Sequence, residues 1–229
     1  MPAASASATP VVAVISQKGG AGKTTLALHL AVAAHETGRV ALVVDCDPQA
    51  TASQWAAWRQ DAPPEVIDSP PPRIAAKVAA ARDQGANFIV IDTPPHADSA
   101  ARAAVEAADL VLIPCRPSAF DLAAIQTSAK LAELLRKPAF VVFTAGPPNA
   151  PRVYEEAGEV VAGYGTPPAP VILADRAAYR HATASGASVT ETEPAGKAAG
   201  DVRDLYTWTC RQLGMKTPRY TPRSSKVKS

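Results

Sequence analysis

Blocks of consecutive apolar residues alternate along this chain with stretches whose apolar positions recur at helical spacing. Residues 11–15 (Val-Val-Ala-Val-Ile) are apolar throughout, as expected of a parallel strand buried on both faces. A glycine-rich turn follows, then a predicted helix over 23–37 that Gly38 ends at a C′ position. Residues 40–44 predict a second buried strand, and 51–60 a helix. Pro63, Pro64, Pro70, Pro71 and Pro72 surround a short strand near Val66. Further helices are expected at 74–84, 99–107, 120–135, 153–161, 177–185 and 198–213. Further strands are expected at 88–91, 110–113, 139–143 and 171–173. In the helix over 120–135, Leu122, Ile125, Ala129 and Ala132 fall on one face. Strands alternating with helices predict βαβ units with right-handed crossovers. The expected fold is α/β, a mostly parallel twisted sheet flanked by helices on both faces.

The sequence has 229 residues and no internal repeat or domain-splitting linker, so one domain over 11–213 is expected. Apolar residues make up 47% of it, enough for a packed core. No apolar run approaches the ~20 residues of a membrane span. Residues 1–10 have neither a basic nor an apolar segment of signal-peptide type and read as a flexible lead-in. Cys46, Cys115 and Cys210 are isolated and form no C-x-x-C pair, which argues against a zinc ribbon or an iron–sulfur bridge and for a reducing cytoplasm. From position 205 onward there are six basic residues (Arg211, Lys216, Arg219, Arg223, Lys226 and Lys228) and no acid, whereas the whole chain is only +2. The remainder is therefore acidic, and residues 214–229 form a basic tail. Such a tail suits nucleic acid or anionic lipid, and equally a solvated end.

The most specific chemistry lies at Lys18-Gly19-Gly20-Ala21-Gly22-Lys23-Thr24-Thr25. It follows a buried strand and opens a helix, the context of a phosphate loop. Backbone N–H groups of Gly19, Gly20, Ala21, Gly22, Lys23, Thr24 and Thr25 would cradle phosphates at the helix N-terminus. Lys23 would reach the β- and γ-phosphates, and the Thr24 hydroxyl would ligate Mg²⁺. The pattern's usual first Gly is replaced by Gln17. Asp92 closes the apolar run 88–91, which places it at the ligand-binding edge of the sheet and suits it to hold Mg²⁺ through a water. Asp45 and Asp47, in Asp45-Cys46-Asp47-Pro48-Gln49, suit metal-bound water and the orientation of an attacking water, or else a Pro-containing turn held by Asx bonds.

Together these segments resemble the ParA/MinD family of deviant Walker ATPases over roughly residues 11–213. The resemblance implies that Lys18 crosses a dimer interface to the partner's nucleotide and that Asp45-Cys46-Asp47-Pro48-Gln49 is the family's D-x-D-P-Q segment, its second acid tied to hydrolysis. Ile91 to Pro95 looks like its Walker B strand and turn. The stretch Pro114-Cys115-Arg116-Pro117-Ser118 resembles the short partition ATPases of ParF type, with Pro117 near ATP. No N-terminal helix-turn-helix extension is present, which favours that short type. Thr144 to Asn149 departs from the segment that relatives place near adenine.

By resemblance the chain is an MgATP-dependent, partner-stimulated ATPase that forms an ATP-sandwich homodimer and binds DNA without sequence preference. It would partition or position a plasmid, a chromosome origin or a protein organelle with a ParB-like or cargo-adaptor protein, in the cytoplasm at the nucleoid. Arg176, Arg180, Lys197, Arg203, Lys216 and Arg219 are the expected DNA contacts, ordinary salt-bridged helix surface being the other reading of Arg176 and Arg203. The alternative is a MinD-like or synthase-regulating ATPase acting at the membrane through a partner. Direct membrane binding is not expected, because Pro218 and Pro222 break any amphipathic C-terminal helix. Trp55 and Trp58, three apart, are expected to share a face for packing or docking.

Overall fold

The computed structural model describes residues 9–60, 62–218 and 220. The elements run β1 (Val11–Val14), α1 (Lys23–Glu36), β2 (Ala41–Asp45), α2 (Thr51–Trp58), β3 (Glu65–Asp68), α3 (Ile74–Asp83), β4 (Phe88–Asp92), α4 (Asp98–Ala107), β5 (Leu110–Cys115), α5 (Ala119–Leu134), β6 (Ala139–Phe143), α6 (Pro151–Gly163), α7 (Ala177–Ala184), α8 (Val189–Thr192) and α9 (Lys197–Gln212). Six parallel strands form one sheet in the order β3-β2-β4-β1-β5-β6. The expected α/β sheet is thus observed.

Each apolar strand serves two cores because successive side chains point to opposite faces. Val12, Val14, Val43, Phe88, Val90, Leu110 and Leu112 join α1, α2, α7, α8 and α9 on one face. Val11, Ala13, Leu42, Val44, Ile89, Ile91, Val111 and Ile113 join α3, α4, α5 and α6 on the other. Helix α1 is buried over most of its surface, being sheathed by the sheet on one side and by α2, α8 and α9 on the other. That explains its Leu/Ala/Val content without a polar stripe.

The strand expected at 171–173 is reduced to isolated bridges, Val141 with Pro168 and Thr144 with Leu173. Pro167, Pro168 and Pro170 carry no N–H, so this segment bonds β6 only at scattered points. Those include Ala169 N–H to the Val141 carbonyl at 2.7 Å and Leu173 N–H to the Phe143 carbonyl at 2.9 Å. The short helix α8 and a 3-10 turn over Pro71–Arg73 were not expected. Helix α8 is started by a capping box, with Ser188 and Glu191 each receiving the other's backbone N–H. Met215 and Tyr220, expected within a separate tail, pack against the α1/α9 core, and the Tyr220 ring lies 5.5 Å from the Arg203 guanidinium.

Candidate nucleotide site

The sheet order puts β1 between β4 and β5, with β2 on the far side of β4, so three strand ends deliver side chains to one place. Asp45 and Asp92 sit opposite each other in the β2–β4 register, and Val14 sits opposite Asp92 in the β1–β4 register. The chain leaves β1 through Gln17–Gly22 and enters α1 at Lys23. Gly20 and Gly22 adopt φ of +71° and +89°, which lets the loop wrap tightly above the helix N-terminus. Gly22 also passes close to the Thr144 side chain, 3.7 Å from where a Cβ would stand.

Three loop carbonyls are held by side chains. The Lys23 ammonium, buried, donates to the Lys18 carbonyl at 3.1 Å. Thr144 donates to the Ala21 carbonyl at 2.8 Å, and Arg116 donates to the Gly20 carbonyl at 2.7 Å. Burial lowers the Lys23 pKa, and the carboxylates of Asp92 and then Asp47 oppose that shift. Gln17 ties the loop to α4 by donating to Asp98 at 2.6 Å.

Asp92 is fully buried, and neither carboxylate oxygen has a hydrogen-bond partner. Burial pushes its pKa up to about 7; Thr24 and Lys23 pull it down, while Asp45 and Asp47 push further up. An orphaned carboxylate beside a threonine hydroxyl at the foot of a phosphate loop is a donor set that fits Mg²⁺. Among the described residues no group of three or more His, Cys, Asp or Glu is placed to hold a metal ion by itself.

Asp45 is committed differently. Its Oδ2 accepts the Ser53 N–H and the Ser53 hydroxyl, both at 3.0 Å, and its Oδ1 accepts the Asp47 N–H at 3.0 Å. It therefore caps α2 from a neighbouring strand and shapes the Asp47 turn. Asp47 is half-buried and accepts the Gln49 N–H at 2.9 Å, the Asx geometry foreseen as one reading of this segment. Lys18 stands at the rim with its side chain 40% exposed, and its ammonium lies 3.5 Å from Asp121 of the same chain.

Beside the loop opens a cavity of about 370 Å³ lined by Gly20, Gly22, Thr25, Arg116, Thr144 and Tyr179, among others. Arg176 and Arg180, named from the sequence as DNA contacts with salt-bridged helix surface as the other reading of Arg176, also line it. Arg176 pairs with Asp201 at 3.3 Å, and Arg180 with Asp175 at 2.9 Å. Arg203 pairs with Glu36 at 3.7 Å and donates to the Pro194 carbonyl at 2.6 Å. Lys197 and Lys216 are exposed, and Arg219 lies outside the described residues. Pro117, expected near ATP, packs on Gly146: a Cβ on Gly146 would stand 2.6 Å from the Pro117 ring. Trp55 and Trp58 do not share an environment. Trp55 is 1% exposed and donates to the Ala187 carbonyl at 3.3 Å, while Trp58, at the end of α2, is 54% exposed. Ser53, Arg116, Asp121 and Thr144 are site-forming residues that the sequence reading left unassigned. The acid in the first turn of α5 and the arginine preceding Pro117 were the available signals.

A family model for the CobQ/CobB/MinD/ParA nucleotide binding domain matches residues 12–189. The chain belongs to this family. Within the MinD/ParA group it is 31% identical over 203 residues to the maintenance of carboxysome distribution protein A of Halothiobacillus neapolitanus, covering 83% of this chain and 91% of that protein. The protein of the same name from Gloeobacter kilaueensis is 41% identical over 118 residues, which is 50% of this chain, and the match spans about half (53%) of that relative's length. In fold the chain resembles the septum site-determining protein MinD of Pyrococcus horikoshii solved with Mg-ADP (TM-score 0.71, 19% identity, 90% and 98% covered). It also resembles pNOB8 ParA bound to nonspecific DNA (TM-score 0.69, 16% identity, 90% and 99% covered). Among the described residues no helix is long and apolar enough to cross a membrane.

Proposed function

We propose that this ParA/MinD-family protein is an ATPase whose nucleotide state switches it between a monomer and an ATP-sandwiched homodimer, and that the dimer holds non-specific DNA while a cargo adaptor stimulates hydrolysis. The observation that carries the reading is Lys18: a lysine at the exposed rim of the phosphate loop, held by one partly exposed ion pair and able to leave it.

In this reading the loop N–H groups and Lys23 bind the phosphates, and the three braced carbonyls keep the cradle formed before the nucleotide arrives. Thr24 and Asp92 would hold Mg²⁺, which when bound offsets phosphate charge. Lys23 would turn from the Lys18 carbonyl to phosphate, easing the cost of its burial. Asp47 orients the attacking water. Asp45 acts through Asp47 and α2, the groups to which both its oxygens already hydrogen-bond. The partner's Lys18 would complete the charge around the γ-phosphate, so a dimer is the hydrolysing species.

The near full-length similarity to a carboxysome-distribution protein supports a protein compartment as cargo rather than a plasmid, and the fold shared with a DNA-bound ParA supports the nucleoid as track. The test is binding to non-specific duplex DNA with ATP, ADP or no nucleotide over a salt series, beside Lys18→Ala. Tight, salt-sensitive binding with ATP alone, lost in the variant, is the expected result. ATP-dependent dimers that ignore DNA would overturn the DNA part and favour action at the membrane through a partner.

A further inference from the structure

We infer that Arg116 is a nucleotide-binding residue, a guanidinium that the β5–α5 turn holds over the phosphate loop to contact the phosphate chain of a nucleoside di- or triphosphate bound to the same chain. The inference rests on the reading of this cavity as a nucleotide site.

The turn fixes the residue before any ligand arrives. Pro117 confines Arg116 to extended backbone and is itself wedged against Gly146. The Arg116 carbonyl accepts the Ser118 N–H at 2.8 Å and the Cys115 thiol at 3.1 Å, and the Cys115 carbonyl accepts the Thr144 N–H at 2.9 Å. The side chain then reaches across to the loop, where Nη2 donates to the Gly20 carbonyl at 2.7 Å and would stand 3.4 Å from a Cβ on Gly20.

The cavity has three arginines, and two are already neutralised: Arg176 by Asp201 and Arg180 by Asp175. Arg116 has no carboxylate within ion-pair distance among the described residues. Its one hydrogen bond goes to a neutral carbonyl, although a guanidinium carries five N–H donors in a fork suited to phosphate. An exposed, unpaired arginine anchored at the mouth of a phosphate loop is placed to meet an anion there. Its bond to Gly20 keeps it in position meanwhile.

The test is calorimetric titration of the full-length protein with MgADP, which does not need the dimer, for wild type, Arg116→Ala, Arg116→Gln, Arg116→Lys and Lys23→Ala. The residue is exposed, so unchanged circular dichroism and thermal midpoint are expected for the Arg116 variants. Affinity should fall about tenfold or more in Arg116→Ala, as for loss of a charge-assisted hydrogen bond. Arg116→Gln should fall as far, and Arg116→Lys should recover part. Gln can still donate to the Gly20 carbonyl, so wild-type affinity in Arg116→Gln would show that the residue only braces the loop and would overturn the proposal. So would unchanged affinity in Arg116→Ala while Lys23→Ala loses binding. A folded wild type that binds neither ADP nor ATP would overturn the nucleotide reading itself, an outcome distinct from both.

Discussion

Lys18 and Asp121 of one chain face each other across the rim of the phosphate loop, ammonium to carboxylate at 3.5 Å. Asp121 is further fixed by the Ser118 hydroxyl at the start of α5. The lysine that the proposed cycle sends to a second protomer is thus held at home by an acid in its own chain. The pair is partly exposed, so its strength is about 1 kcal/mol at most. Asp121→Asn keeps the size and the Ser118 contact while removing the charge. It should lower the ATP concentration for half-maximal dimerisation by about two- to fivefold in light scattering. A raised threshold would mean that Asp121 helps to build the dimer and does not restrain it.

Arg59 is a second buried cation, and it is fully engaged. Its guanidinium forks onto both Glu191 oxygens at 2.8 and 2.9 Å, donates to the Gly186 carbonyl at 2.8 Å and lies 4.5 Å over the Trp55 ring. These contacts fasten α2, the helix after the Asp45–Asp47 turn, to the α7–α8 connection. Removing one partner of a buried pair strands the other, so Arg59→Ala should cost about 3 kcal/mol in urea unfolding. Arg59→Lys should cost less but still measurably, since an ammonium cannot form the fork. A loss below about 1 kcal/mol in Arg59→Ala would show that the clamp is dispensable.

Two buried groups give opposite pH slopes to stability. Burial raises Asp92 from 3.8 to about 7, so between those values the unfolded chain has lost a proton that the folded one keeps, and stability falls as pH rises. Burial lowers His29 from 6.5 to about 4, so across that window the unfolded chain is protonated and the folded one is not, and stability falls as pH drops. The two largely cancel in protein free of metal and nucleotide. Asp92→Asn should leave the His29 slope alone: its thermal midpoint should climb from about pH 4 to about pH 6.5 and stay above wild type at higher pH. Parallel wild-type and variant profiles would sink this assignment. The same variant should lose Mg²⁺-dependent nucleotide affinity.

What could be read from the sequence depended on how local the cause was. Phe88-Ile89-Val90-Ile91-Asp92 announces a buried strand ending in an acid, and the strand does end there, its carboxylate buried without a partner. Residues 171–173 looked like a strand from their apolar side chains, but the prolines just before them remove the donors a ladder requires. Asp45 read as a metal or water ligand or else as part of an Asx-bonded turn, because nothing local reveals that Ser53, eight positions on, turns both its donors toward Oδ2. Arg176 read either as a DNA contact or as salt-bridged helix surface, and spacing could not choose between them, since it does not tell that Asp201 on α9 packs beside it. Trp58 follows Trp55 at helical spacing but falls where α2 ends and solvent begins.

That same distinction divides the expected DNA contacts. Arg176, Arg180 and Arg203 are each matched to a carboxylate, so they bring little net charge to a phosphate. Lys197, at the start of α9, and Lys216, just beyond its end, are exposed and have no ion-pair partner among the described residues. Each phosphate neutralised contributes about 0.9 to the slope of log affinity against log salt. Lys197→Ala with Lys216→Ala should therefore reduce that slope for ATP-loaded protein by about one to two, with the unfolding midpoint unchanged. Arg203→Ala should do the reverse. It frees Glu36 and the Thr190 and Pro194 carbonyls, and removes the cation beneath Tyr220, so it should destabilise the fold by about 1 to 3 kcal/mol while the salt slope stays the same. A slope that drops in Arg203→Ala at constant stability would reassign DNA contact to the paired arginines, and would mean that Glu36 gives up its partner when DNA binds.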